Sequence, residues 1–144
     1  DRNVLELAID LQTALAISLR KRENFLRRTA EPSTVIEMRQ IIRPVRGFYL
    51  DARVWQGSDD RSRRLQLGKE TVEAKLDGIL FSPDERSCAS GIVVLKPECL
   101  GKPVQADHFK FLWNGERIHV LYSFGKDRMY DPDILASADN ILAA

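Results

Sequence analysis

"NVLELAIDLQTALAISLRKRENFLRRT", Asn3 to Thr29, is the stretch whose reading decides the fold. Val4, Ala8, Leu11, Leu15 and Leu19 recur at spacings of four, three, four and four, which is one face of an α-helix. Leu5, Ile9 and Ala16 widen that face. Asn3 has the chemistry of an N-cap, and Glu6, three residues on, suits a capping box. Arg20, Lys21, Arg22, Arg27 and Arg28 crowd the last turns, where the helix dipole favours positive charge. Neither Gly nor Pro interrupts before Pro32. The spacing predicts one helix over 3–29. At 1.5 Å per residue it is roughly 40 Å long, enough for part of it to project as a stalk.

Beyond the helix, "EPSTVIEMRQIIRP" is bracketed by Pro32 and Pro44. Its apolar residues at 35, 36, 38, 41 and 42 match neither period cleanly, and the reading leans to a short second helix capped by Ser33 or Thr34. The texture then turns to β. "GFYLDARVW" offers an alternating face of Phe48, Leu50 and Val54, and "ETVEAKLDG" alternates at Val72, Ala74 and Leu76. "QGSDDRSRR" between them is a polar loop. "ILFSPDERSCASGIVVL" reads as two strands around a polar turn that starts at Ser82-Pro83-Asp84. "HFKFLWNGERIHVLYSF" is the sharpest hairpin signal, because both Asn114 and Gly115 tolerate positive φ. "GKDRMYDPDILASADN" reads as irregular backbone. The expected fold is α+β: one long helix packed on an antiparallel sheet within a single domain over 1–144, with a β-rich region at 47–126 and an acidic loop at 127–144.

The composition suits one globular domain. The 144 residues are 44% apolar and 30% charged, with a net charge of +1, which gives no whole-chain pull toward nucleic acid or a lipid surface. The charge is nonetheless uneven. Residues 1–46 hold nine Arg/Lys against six Asp/Glu, a net of +3, and residues 127–144 hold one Arg against four Asp, a net of −3. A second basic cluster stands at Arg61, Arg63 and Arg64. Arg20, Lys21, Arg22, Arg27 and Arg28 could contact phosphates or a partner, but Phe25 is the only aromatic among them, so no stacking platform supports nucleic acid. There is no run of 18 apolar residues and no secretory leader. The chain opens at Asp1 without Met, which reads as a mature or trimmed fragment.

Catalytic patterns are missing. His108 and His119 belong to no H-x-x-x-H or H-E-x-x-H arrangement, and no G-x-S-x-G, Walker or dinucleotide motif exists. The chain is therefore not expected to be an enzyme. Cys88 and Cys99 permit one disulfide or two free thiols. They flank a strand-like run, so a bridge would need a bend between them. Asp127, Asp131 and Asp133 form D-x-x-x-D-x-D in irregular backbone. A hard cation such as Ca²⁺ wants six to eight oxygens, which close acids and unpaired carbonyls can supply. Solvated turn acids are the competing reading, and Arg128 inside the run could pair with one of them.

Three stretches carry a resemblance. "ELAIDLQTALAISLRKRENF", "GILFSPDERSCASGIVVL" and "LGKPVQADHFKFLWNGERIHVLYSFGKDRMYDPDI" resemble the helix, a hairpin and the C-terminal part of type IV pilin-like proteins, in particular the pseudopilins of type II secretion systems. "LYSFGKD" is the most specific element. Arg128 and Glu85 stand where the family has glycines. The resemblance implies a structural subunit of a periplasmic pseudopilus or pilus-like fibre that supports protein secretion. It implies an apolar anchor upstream of Asp1 and a place on the periplasmic face of the bacterial inner membrane. Its partners would be other pseudopilins or pilins, packed through the N-terminal helix, and the secretion system's inner-membrane platform. It also implies calcium held by Asp127, Asp131 and Asp133, with Ser123 aligned to the family's loop serine. The alternatives are a minor pilin that binds DNA for uptake, or a periplasmic sensor or ligand-binding domain.

Overall fold

The computed structural model of the chain describes residues 4–53 and 61–143. The helix expected over 3–29 is shorter. Leu5–Ala8 is a strand, β1, and helix α1 runs Leu11–Arg28. Asp10 is the residue that starts it: its extended backbone and its carboxylate, which accepts from Thr13 N at 2.8 Å, make it the N-cap. Helical spacing upstream of Asp10 is coincidence, because Leu5 to Ala8 instead pair antiparallel with Val94 to Gly91. Thr29 closes the helix, with Ala30 following in a left-handed conformation, φ 50°.

The second segment is also corrected. Thr34–Ile42 is strand β2, not a helix. Ile36, Met38, Gln40 and Ile42 lie on one face, while Val35, Glu37, Arg39 and Ile41 lie exposed on the other. That alternation includes a polar residue on each face, which blurs the apolar pattern. Strand β3 is Tyr49–Asp51, and Val54 and the loop residues 56–60 lie outside the described residues. Helix α2, Arg61–Glu73, occupies a stretch read as loop and strand. Thr71 is fully buried there and donates its hydroxyl to Leu67 O at 2.7 Å. The expected hairpins are present as β4, Gly78–Phe81, with β5, Gly91–Val94, and as β6, Val104–Trp113, with β7, Ile118–Ser123. The second hairpin turns through residues 114–117 rather than through two residues. Asn114 Oδ1 accepts from both Glu116 N and Arg117 N at 2.9 Å, and Gly115 takes φ 96°. Strand β8, Arg128–Tyr130, forms inside the run read as a loop, followed by 3₁₀ turns at Pro132–Ala136 and Ile141–Ala143.

Among the described residues eight strands make two sheets, not one. Sheet A has the order β1-β5-β4-β3 and sheet B the order β2-β6-β7-β8. Sheet B is antiparallel throughout. In sheet A, β3 and β4 are parallel, and α2 is the crossover that a parallel pair requires. The fold is thus mixed α+β with α1 as an 18-residue helix, and no 27-residue helix lies on a single sheet.

The core sits between α1 and sheet B. Phe109, Phe111 and Trp113 from β6, Leu121 from β7 and Tyr130 from β8 meet Leu15, Ala16 and Leu26 of α1, and Leu135 and Leu142 close the end. Phe111 and Leu121 have no exposed surface. Each such side chain contributes about 2–3 kcal/mol by leaving water. Trp113 Nε1 donates to Glu31 O at 2.8 Å, which satisfies the indole while its ring is buried. Sheet A is knitted differently. Phe81 lies over Gly91 and Tyr49 over Gly78, so closely that a Cβ at either glycine would meet the ring below 3 Å.

Candidate functional site

A groove of about 450 Å³ opens where the two sheets diverge. Its floor is the first two turns of α1, where Asp10, Leu11, Ala14, Leu15 and Ser18 share one face. One wall is the edge strand β1 with Ile9. The other is the second half of β2, from Met38 to Ile42, continued by Arg43 and Val45. Ile92 and Phe109 reach it from each sheet. Ile9, Ile41 and Ile42 are more than half exposed at its mouth, so the apolar lining continues onto the surface. Two cations stand on its β2 side. Arg43 is half-buried and spends only Nε, which donates to Gly101 O at 2.9 Å. Arg39 is exposed at the rim and makes no hydrogen bond or ion pair among the described residues.

The groove is anchored by a buried polar hub. Asp10 Oδ1, besides capping α1, accepts from Arg86 Nη1 at 3.0 Å. Arg86, 5% exposed, also donates to Thr13 Oγ1 at 3.1 Å, Ser137 O at 2.8 Å and Ala138 O at 3.2 Å. Gln12, with no exposed surface, points Nε2 at the carbonyls of Ile134 and Asp139 and accepts from Ile141 N at 2.9 Å. The C-terminal segment is therefore strapped onto α1 by two side chains whose donors and acceptors are all used. Sequence reading passed over Asp10, Gln12 and Arg86. The signal was present in Asp10-x-x-Thr13, a stronger cap than Asn3 because the first buried helical residues follow it.

The expected metal residues are spread out. Ser123 is buried, and its Oγ accepts from Lys126 N at 3.2 Å. Asp127 sits in the β7–β8 turn at φ 46° and its carboxylate accepts a hydrogen bond from the Tyr122 hydroxyl, which raises the tyrosine pKa. Asp131 caps the 3₁₀ turn through Asp133 N at 2.9 Å. Asp133, 81% exposed, lies 3.6 Å from Arg117. Among the described residues no three His, Cys, Asp or Glu side chains converge as metal ligands would. The basic residues of α1 are largely paired: Arg20 with Glu85, Lys21 with Glu6 and Arg27 with Glu23, while Arg22 and Arg28 are exposed. The side chains of Arg61, Arg63 and Arg64 lie outside the described residues. Cys88 is exposed, Cys99 is buried, and both are free thiols.

Cys99 belongs to a second polar cluster. Asp77 accepts from Phe48 N at 2.8 Å and pairs with Lys96 Nζ at 2.9 Å, and both hold its carboxyl below the usual range. Burial, then the Asp77 charge, pushes the Cys99 thiol up. Burial, then the charges of Cys99 and Asp77, pushes Tyr49 up to about 12. A thiol held protonated in this way is a poor nucleophile. The imidazoles stand elsewhere. His119 Nδ1 lies 2.9 Å from Leu112 O, and His108 packs edge-on against Phe124.

Comparison with known proteins gives sequence likeness without function. No family model and no solved structure matches the chain. A protein of Sinorhizobium fredii (strain NBRC 101917 / NGR234), described as "Uncharacterized protein y4oC", is 38% identical over 143 residues, which are 99% of this chain and 62% of that protein. Most of the present chain is thus similar to part of a longer protein whose printed name states no activity.

Proposed function

We propose that this chain is a non-catalytic ligand-binding domain whose groove takes an amphiphilic anion, an aliphatic chain ending in a carboxylate. The observation that carries the reading is the groove itself: about 450 Å³, lined mostly by apolar side chains with Asp10, Ser18, Arg39 and Gln40 among them, and with the Arg43 guanidinium only partly used at one end. Sites of this size that combine an apolar lining with a few placed polar groups are the usual form of small-molecule sites. An apolar chain would gain from burial against Ala14, Leu15 and Ile42, and the carboxylate from the fork of Arg43. Support for catalysis is thin, since the buried thiol is held protonated and neither histidine lies in the groove. The fibre-subunit reading rests on a long N-terminal helix, the β hairpins that follow it and the "LYSFGKD" run; of these the hairpins are present and the helix is shorter, Leu11–Arg28. Among the described residues no helix is long and apolar enough to cross a membrane.

Titration calorimetry with a medium-chain fatty acid and its matching alcohol tests the reading. The acid should bind more tightly than the alcohol. Arg43→Gln should remove that preference, a loss of about tenfold for the acid. Ala14→Trp, which fills the groove, should abolish both. Equal binding by the Ala14→Trp variant, or none by the parent chain, would end the proposal.

A further inference from the structure

Strand β2 is an edge strand of nine residues, paired on one side only, to β6. Natural edges are usually blunted by Pro, Lys, a bulge or brevity. Here Pro32 and Pro44 lie outside the strand, and its only charges are Glu37 and Arg39. The register irregularity between Arg39 and Ile41 does not kink β2. It advances two residues on β2 while the partner advances three, from His108 to Gln105, so the extra residue belongs to β6. The edge is long, regular and open.

Its outward face is self-complementary. Val35, Glu37, Arg39 and Ile41 point away from the core, and Val35 and Ile41 are 53% and 52% exposed. Neither Glu37 nor Arg39 has an ion-pair partner among the described residues. Across a two-fold axis at Met38, an antiparallel copy of this strand places Glu37 opposite Arg39 and Val35 opposite Ile41, each twice. The strand Thr34–Ile42 is itself centred on Met38, so this register also pairs its whole length. The neighbouring symmetric registers put Glu37 against Glu37 or Arg39 against Arg39, and like charges directly opposite are destabilising.

We propose that β2 is a self-association surface: two copies of this chain pair antiparallel along β2 about Met38, joining two four-stranded sheets into one of eight strands. The match of Glu37 with Arg39 selects the register, the Val35–Ile41 contacts cover exposed apolar surface, and the open edge supplies the backbone hydrogen bonds. The surface shares Arg39 and Ile41 with the rim and mouth of the groove, so a second copy on β2 would narrow that opening, while Arg43 and Ala14 are left untouched by the test.

Sedimentation velocity from micromolar to millimolar concentration reads the outcome. The parent chain should dimerise. Glu37→Arg and Arg39→Glu each turn two attractive contacts into two repulsive ones, and each should weaken self-association by about tenfold or more. An equimolar mixture of the two single variants should recover the parental affinity as a heterodimer, because every pair across the axis is then of opposite sign. Unchanged melting curves for these exposed substitutions show that the chains are folded. A parent chain that stays monomeric throughout, single variants that dimerise like the parent, or a mixture that fails to recover would each overturn the proposal.

Discussion

Sheet B hides Phe111 and Leu121 completely, whereas Val94 is the one strand side chain of sheet A, other than glycine, that is buried. The difference follows from what each sheet is given to pack on. Sheet B has a ten-residue central strand, α1 across its inner face and two 3₁₀ turns over the end. Strands of sheet A run three or four residues, and apart from Val94 their side chains are half-buried or exposed. What holds sheet A is polar and local. Asp77 pins Phe48 and Lys96, Asp51 pairs with Arg53 at 2.6 Å, and aromatic rings lie over two glycines. One sheet is stabilised by packing and the other by pins, so core substitutions and charge substitutions should sort between them.

The largest expected effect is in sheet B. Phe111→Ala should cost about 3–5 kcal/mol in urea denaturation, and Ile79→Ala in sheet A only about 1–2 kcal/mol, because less surface leaves water there and less of a cavity is left behind. Equal losses would dissolve the distinction. Next is the hub that joins the C-terminal segment to α1. Arg86→Ala strips the partner from Asp10 and from the carbonyls of Ser137 and Ala138, and should cost about 2–4 kcal/mol. Hydrogen exchange should quicken over 134–142 before it quickens in β6. Uniform quickening would mean that the strap and the core open together.

The smallest effect probes a pin of sheet A. Asp77 titrates below its unfolded value of about 3.9. It therefore adds stability at neutral pH, and that increment is lost as pH falls through the folded-state value. Asp77→Asn should lower the melting temperature at neutral pH and flatten its fall on the acid side. At the other extreme, Tyr49 stays protonated to about 12 against an ordinary value of 10, so stability should decline as pH rises between those values.

The legible parts of the sequence were those where local chemistry and tertiary context agree. The β6–β7 hairpin announces itself through Asn114-Gly115 and alternating aromatics, and both survive in the structure. The β4–β5 hairpin was readable for the same reason. Upstream, Leu5 and Ala8 extended a helical period by accident, and only the pairing with Val94 to Gly91, some 85 residues away, makes them a strand. In β2 each face carries both apolar and polar residues, so period two was hidden. Helix α2 contains Gly68 and shows no clear apolar stripe. The groove is assembled from β1, α1 and β2, two of which were misassigned, so no local motif could have announced it.

Gln12 has a consequence for the order of assembly. Its amide lies in the first turn of a helix that can form early, yet its partners are all at 134–142, across a separation of 122 to 130 residues. Until that distant segment arrives, the first turn of α1 carries an amide bonded only to water, and the core is open at one end. Forming these contacts is a long loop closure, the kind that topology makes slow. A chain emerging from the ribosome would keep this face of α1 wet until nearly all of the sequence described here had appeared.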